Sequence, residues 1–245
     1  MSNMTHKIKT GEPPLRGVRV LDMSRVLAGP FCTMTLSDLG CEVIKVEVPG
    51  EGDDTRGYPP FVGGESSYFM SVNRGKKSVT LDLKKEEARR AFHRVAEKCD
   101  VLVENFRPGV TKRLGVDYET IHGVNPRLVY CSISSFGQTG PYASWPGYDL
   151  IVQGMGGLMG LTGEPDRPPV RVGMAVTDIG AGMYAVIAIA SALLARERTG
   201  EGQHIDVSIL DGSVSWMTYA AGNYFATGEV PKRMGSAHPS IVPYQ

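Results

Sequence analysis

One carboxylate stands ahead of the longest apolar run in the chain. In VGMAVTDIGAGMYAVIAIASALLARERTG, residues 172–200, Asp178 is followed by no further charge until Arg196. An Asp before an apolar helix has an ordinary use as an N-cap, accepting a backbone N–H. It also has a chemical use. The positive end of a helix favours an ionised carboxylate, and Gly180 and Gly182 leave room for a ligand to approach. An ionised, accessible carboxylate can attack an acyl carbon. The pattern alone leaves both uses open.

A second group of residues is basic. Arg74, Lys76 and Lys77 lead into a strand, Lys84 and Lys85 follow it, and Arg107, Lys112 and Arg113 come after the stretch ENF. They form either a solvated surface or a set of donors for a phosphate-bearing ligand. Other chemistries find no anchor. Glu47 ends a strand where an acid could grip a ribose, but the loop SRVLAGP offers only Gly29, followed by Pro30, in place of G-x-G-x-x-G. No G-x-S-x-G elbow is present. His6, His93, His122, His204 and His238 are scattered without an HExxH, and His93, among charges on a helix, is expected to be solvated. Cys32, Cys41, Cys99 and Cys131 lack metal-ligand spacing and read as free, packed thiols.

The elements that must position these residues alternate. VRVLDM, CEVIKVEV, SVTLDL, VLVENF and RLVYCSIS read as strands, apolar at nearly every position as when both faces are buried. FCTMTLSDLG and KKEEARRAFHRVAEKC read as helices between them, the second with Ala88, Ala91, Phe92, Val95 and Ala96 at helical spacing. This predicts an α/β, Rossmann-like parallel sheet with helices on both faces. Ligands of such sheets bind in the loops at the carboxyl ends of the strands. HIDVSILDGSVSWMTYAAGNYFATG reads as a strand running into another helix, and a Pro-rich tail follows.

Of 245 residues, 42% are hydrophobic, and 26 Lys and Arg balance 26 Asp and Glu. A net charge of zero gives no basic excess for nucleic acid or an anionic membrane. Residues 179–195 are a little short for a bilayer span and contain two glycines, so a buried helix is expected. The first ten residues lack the apolar stretch of a signal peptide, which suits the cytoplasm or an organelle matrix.

Several long stretches occur together and in order: GVRVLDMSRVLAGPFCTMTLSDLGCEVIKVEVPGEGDDTR, NRGKKSVTLDLK, CDVLVENFRPGV, NPRLVYCSISSFGQTGPY, GYDLIVQGMGGLMGLTG and VTDIGAGMYAVIAIASALLARERTGEGQHIDVSILD. From about residue 15 to the end the chain thus resembles the class III coenzyme A-transferases, the CaiB/BaiF group that contains formyl-CoA and carnitine CoA-transferases. SRVLAGPF, GEGDDTR, PPFVGGESSYF and AHPSIVPYQ look most like the succinyl-CoA:dicarboxylate branch, including succinyl-CoA:glutarate CoA-transferase.

The resemblance implies a transferase that moves CoA from an acyl-CoA to a free carboxylic acid, with Asp178 as covalent nucleophile. CoA and its esters are substrates, and no resident cofactor or metal is expected. Carried over by position, CoA contacts fall on Leu27 and Ala28, on Leu81, Asp82, Leu83 and Lys84, on Asn105, Phe106 and Arg107, and on Arg113. Leu27 stands where formyl-CoA transferases have Gln, and Val48 where they have Arg. The related α-methylacyl-CoA racemases carry G-H-D where this chain has Gly147-Tyr148-Asp149, so the imidazole that exchanges an α-proton is missing and Tyr148 is expected to line the acyl pocket. A racemase, or a non-catalytic CoA-binding protein, is the alternative. The implied organisation is a tail (1–14), a large CoA-binding domain (15–209), a linker helix (210–230) and the truncated start of a small domain (231–245), in an interlocked homodimer.

Overall fold

The apolar runs come together side by side in one direction. The computed structural model describes residues 11–244, so most of the expected N-terminal tail and Gln245 lie outside the described residues. In chain order the elements are β1 (Arg19–Asp22), α1 (Ala28–Asp38), β2 (Glu42–Glu47), β3 (Phe61–Val62), β4 (Glu65–Ser66), α2 (Ser67–Asn73), β5 (Lys76–Thr80) and α3 (Glu86–Ala96). Then follow β6 (Val101–Glu104), α4 (Val110–Leu114), α5 (Tyr118–Val124), β7 (Val129–Ser134), α6 (Asp149–Met155) and α7 (Leu158–Leu161). The last are α8 (Val176–Thr199), β8 (His204–Ser208), α9 (Ile209–Ser215) and α10 (Thr218–Thr227).

Six strands form a parallel sheet in the order β5-β2-β1-β6-β7-β8, while β3 and β4 make a separate small hairpin. The chain therefore moves outward from β1 to β5, then returns to β1 and moves the other way. The order reverses between β1 and β6, the crevice where doubly wound sheets hold ligands. Alternate residues serve opposite faces. Val20, Val101 and Val103 join a core with Cys32 and Leu36 of α1 and Ala181, Ala185 and Ile189 of α8. Leu21 and Leu102 point to the other face, among Phe92 and Ala96 of α3 and Ile121 of α5. All four cysteines are buried free thiols.

Three expectations need correction. The strand read as SVTLDL is shifted: β5 runs from Lys76 to Thr80 and is an edge strand, largely exposed. Leu81 still donates its N–H to Glu47 O, but Asp82 then accepts the Lys84 N–H and turns the chain away. Helix α1 starts three residues early, because Pro30 fits a first turn, where its missing N–H costs nothing. His93 is not merely solvated: its Nε2 lies 2.8 Å from Gly115 O.

Helix α8 has the length and composition to cross a membrane, with a mean hydropathy of 1.8 in its most apolar window. Here one face packs on α1, β7 and β8, and near its end the Arg196 guanidinium meets Asp100 at 3.0 Å inside the fold.

Candidate active site

The loops leaving β1, β2, β5 and β6 enclose a cleft of about 680 Å³. Of the expected CoA contacts, Leu81, Asp82, Leu83, Lys84, Phe106 and Arg113 line it together, joined by Arg25, Val48 and Lys85. Asn105 and Arg107 line a smaller hollow of about 170 Å³ beside it, as does Tyr148. Phe106 borders both spaces. The Asn105 side chain is spent on the loop after β1: its Oδ1 accepts from Arg25 N and its Nδ2 donates to Arg25 O, both at 2.8 Å. Asn105 therefore shapes the cleft from outside. Leu27 and Ala28 line neither space. Leu27 precedes α1 with no side chain capping that helix, and Ala28 is buried in the first turn.

A buried ionic frame fixes these loops. Lys76 bridges Asp22, at 3.0 Å, and the Pro30 carbonyl. Lys45 meets Asp53 at 2.9 Å and the Ser24 carbonyl at 2.7 Å. Burial pushes the Asp22 carboxyl up, but Lys76, Lys45, Ser24 and Thr33 outweigh it and hold the acid at about 2. Glu47 takes two bonds of 2.7 Å from Arg56 and others from Ser78 and Asp53 N. The acid that might have gripped a ribose thus has its oxygens filled from within the chain.

Asp178 is the third residue of α8 and not its cap. The helix entrance is held instead by Asp149, whose Oδ1 accepts from Thr177 N at 2.9 Å and from Thr177 Oγ1 at 2.6 Å. Asp149 Oδ2 accepts from Gln153 Nε2 at 2.6 Å, and Gln153 Oε1 accepts from Val172 N at 2.8 Å. The segment entering α8 is thereby tied at two points ahead of Asp178. The Asp178 carboxyl is half-buried and draws no hydrogen-bond donor among the described residues. Burial, then the neighbouring Asp149 charge, raises it to about 7. These outweigh the helix dipole that was expected to keep it ionised. The Tyr68 phenol is pushed up by burial and then by the Asp178 charge.

The two glycines after Asp178 serve packing and leave no opening for a ligand. A Cβ on Gly180 would stand 2.0 Å from the Trp216 ring, and one on Gly182 would stand 2.8 Å from Ala28 O. Gly182 lets α8 approach the start of α1, and so brings Asp178, one turn earlier, toward the loop after β1. Tyr148 precedes α6 with 74% of its surface exposed. Sequence reasoning missed Gln153 and Thr177, whose partners Val172 and Asp149 lie 19 and 28 residues away; the one available signal was Asp149, singled out for its place in a triplet. Among the described residues, no group of three His, Cys, Asp or Glu side chains could hold a metal ion.

A family profile described as CoA-transferase family III matches residues 15–245. An acetyl-CoA:oxalate CoA-transferase of Acetobacter aceti is 53% identical over 232 residues, covering 94% of this chain and 60% of that protein. A succinyl-CoA:glutarate CoA-transferase of Mus musculus is 52% identical, covering 95% of this chain and 53% of that one. The crystal structure of a CAIB/BAIF family protein from Brucella suis superposes with a TM-score of 0.90 at 52% identity, over 95% of this chain and 62% of that chain. The chain thus spans between half and two thirds of the length of these relatives.

Proposed function

The chain belongs to CoA-transferase family III, and from that premise we propose that it carries the CoA cleft and the nucleophile of an acyl-CoA:carboxylate CoA-transferase. The donor proposed is succinyl-CoA, the acceptor a dicarboxylate, and the nucleophile Asp178. One observation carries this reading: a half-buried carboxyl that draws no hydrogen-bond donor among the described residues, fixed on the first turn of the long helix α8. A carboxylate used only to cap or to pair would be bonded.

The chemistry needs only this carboxylate. An Asp178 oxygen attacks the thioester carbonyl, the C–S bond breaks, and CoA leaves as thiolate with an aspartyl anhydride left behind. The thiolate attacks the aspartyl carbonyl and expels the donor acid, leaving an aspartyl thioester. The acceptor carboxylate attacks that thioester, releasing CoA thiolate. The thiolate then attacks the acceptor's acyl carbon and frees Asp178. A thioester is exchanged for a thioester, so no external energy source enters the balance.

A racemase is disfavoured because Tyr148 cannot replace an imidazole in exchanging an α-proton. A second substrate pair has a specific observation behind it, since the relative at 53% identity is named for acetyl-CoA and oxalate. Both pairs use a dicarboxylate acceptor. Turnover of succinate, glutarate and malate against oxalate, with succinyl-CoA and acetyl-CoA as donors, separates them. We further infer a homodimer in which a second copy covers the exposed apolar side chains Met183, Ile187 and Leu194 of α8; sedimentation velocity giving a monomer removes this part.

The covalent step is tested by incubating the full chain with succinyl-CoA and hydroxylamine and weighing the tryptic peptide Val172–Arg196. A hydroxamate at Asp178, absent in Asp178→Ala, is expected. No adduct with succinyl-CoA or, in a repeat, with acetyl-CoA would remove Asp178 as the nucleophile toward these donors and favour the non-catalytic CoA-binding reading.

A further inference from the structure

The small hollow of about 170 Å³ between the loops after β6 and β7 is lined differently from the cleft beside it. Its walls are largely aromatic, from Phe106, Phe136, Trp145 and Tyr148. Among the described residues one charged side chain, Arg107, lines it, and no carboxylate does. Arg107 also enters none of the ion pairs found among those residues.

The polar side chains around the hollow fall into two groups. Asn105 is spent on the Arg25 backbone, and Ser135 Oγ donates to Gly147 O at 2.8 Å, which pins one wall to another. Ser134, the last residue of β7 and 8% exposed, is not spent. Its buried Oγ has no hydrogen-bond partner among the described residues. A buried hydroxyl left unpaired is costly, which points to a partner from outside the chain. One guanidinium, one free hydroxyl and no opposing acid suit a carboxylate, which an Arg fork binds through both oxygens. Aromatic walls suit the methylene groups behind it. The volume lies below the roughly 300 Å³ at which pockets take drug-sized ligands, so the hollow suits a small acid and not a nucleotide.

The surrounding contacts tie this hollow to the nucleophile candidate. Glu104 Oε2 accepts the Phe106 N–H at 2.7 Å and fixes the turn that carries Arg107. On another wall, Tyr148 immediately precedes Asp149, whose Oδ1 accepts from Thr177, the neighbour of Asp178. The wall is thereby continuous with the entrance of α8.

We propose that Arg107 and Ser134 hold the far carboxylate of a dicarboxylic acid while its other end reacts at Asp178, so that this hollow selects dicarboxylates over monocarboxylates. A succinyl donor and a dicarboxylate acceptor both present such a free end, and one hollow serves both halves of the exchange. The inference rests on the transferase reading and deepens it. It also moves Arg107 from the CoA contacts to the acid.

NMR titration of the full chain with glutarate and pentanoate, acids of equal chain length carrying two carboxylates and one, tests it. The unaltered chain is expected to bind glutarate about tenfold more tightly, the worth of one charge-assisted contact. Arg107→Met should erase that preference by weakening glutarate alone. Arg107→Lys should keep part of it, which also shows that the loop survives substitution. Ser134→Ala should weaken glutarate roughly threefold. Calorimetric titration of CoA into Arg107→Met should match that of the unaltered chain. No preference for glutarate in the unaltered chain, or a preference that Arg107→Met keeps, overturns the proposal. Equal losses for both acids overturn it as well, since Arg107 would then only shape the hollow. A loss confined to CoA returns Arg107 to the CoA contacts and overturns it too. A chain that shows the expected glutarate preference but gives no Asp178 hydroxamate keeps the site and loses the transferase reading, so the two fail separately.

Discussion

A carboxyl group proposed to attack a thioester has to be ionised to do so, and Asp178 sits where ionisation is costly. Burial and the Asp149 charge hold it at about 7. The same desolvation that resists ionisation makes the anion, once formed, poorly solvated and reactive. The consequence is a rate that depends on pH near neutrality. Below about pH 7 only the ionised fraction can attack, so kcat/KM should fall about tenfold for each pH unit of acidification and level off above pH 7. Glu104 is raised to about 7 by burial as well, which could produce a similar limb. It is distinguished by Glu104→Gln, which should keep the acidic limb unchanged. A flat profile between about pH 5 and 8 would mean that Asp178 ionises like an ordinary surface acid.

Helix α8 carries the proposed nucleophile, and α1 lies close against it. With Ala28 O where a Gly182 Cβ would stand at 2.8 Å, even one methyl group must push backbone away. Gly182→Ala should therefore cost about 1–3 kcal/mol in urea unfolding and lower turnover more than CoA binding. Unchanged stability and turnover would show that the helices part freely. This is where reading the sequence fell short. The strands from Val20, Val43, Val101 and Val129 were legible because burial on both faces demands continuous apolar runs, and the alternation of elements then gave the sheet. Asp178 was legible because a charge ahead of an apolar helix stands out. The roles of Gly180 and Gly182 were not: a missing side chain looks the same whether a ligand or a helix fills the space. The capping of α8 by Asp149 escaped for a related reason, since its partner Thr177 lies 28 residues away and nothing local announces the bond. The edge position of β5 was hidden too, because strand order is set by pairings that no single segment encodes.

For the molecule as a whole, the buried acids fall into two sets with opposite effects on stability. Asp22 and Glu47 are held at about 2, and Asp53 is lowered: burial works against each, and Lys76 for Asp22, Arg56 for Glu47 and Lys45 for Asp53 are among the groups that outweigh it. Unfolded, these acids titrate near pH 4. Their contribution is present above that value and is lost as pH falls toward 2, because the unfolded chain then takes up more protons. Asp178 and Glu104 are raised to about 7. Between about pH 4 and 7 the folded chain holds their protons while the unfolded chain releases them, so their contribution is lost as pH rises. The two trends meet in a stability maximum near pH 4 to 5. The decline from there to about pH 7.5 should be roughly 3 kcal/mol from Glu104, with a smaller addition from Asp178 because it is partly exposed. Urea midpoints measured across about pH 2.5 to 8 should trace this dome. The double variant Asp178→Asn, Glu104→Gln should flatten the neutral side and leave the acid side in place. Asp178→Asn alone should raise the midpoint at about pH 7.5 while abolishing transfer, the mark of a group kept at a cost to the fold. Stability that climbs steadily from pH 4 to 8 in the unaltered chain would show that neither acid is desolvated, and the basis for a reactive carboxylate at Asp178 would go with it.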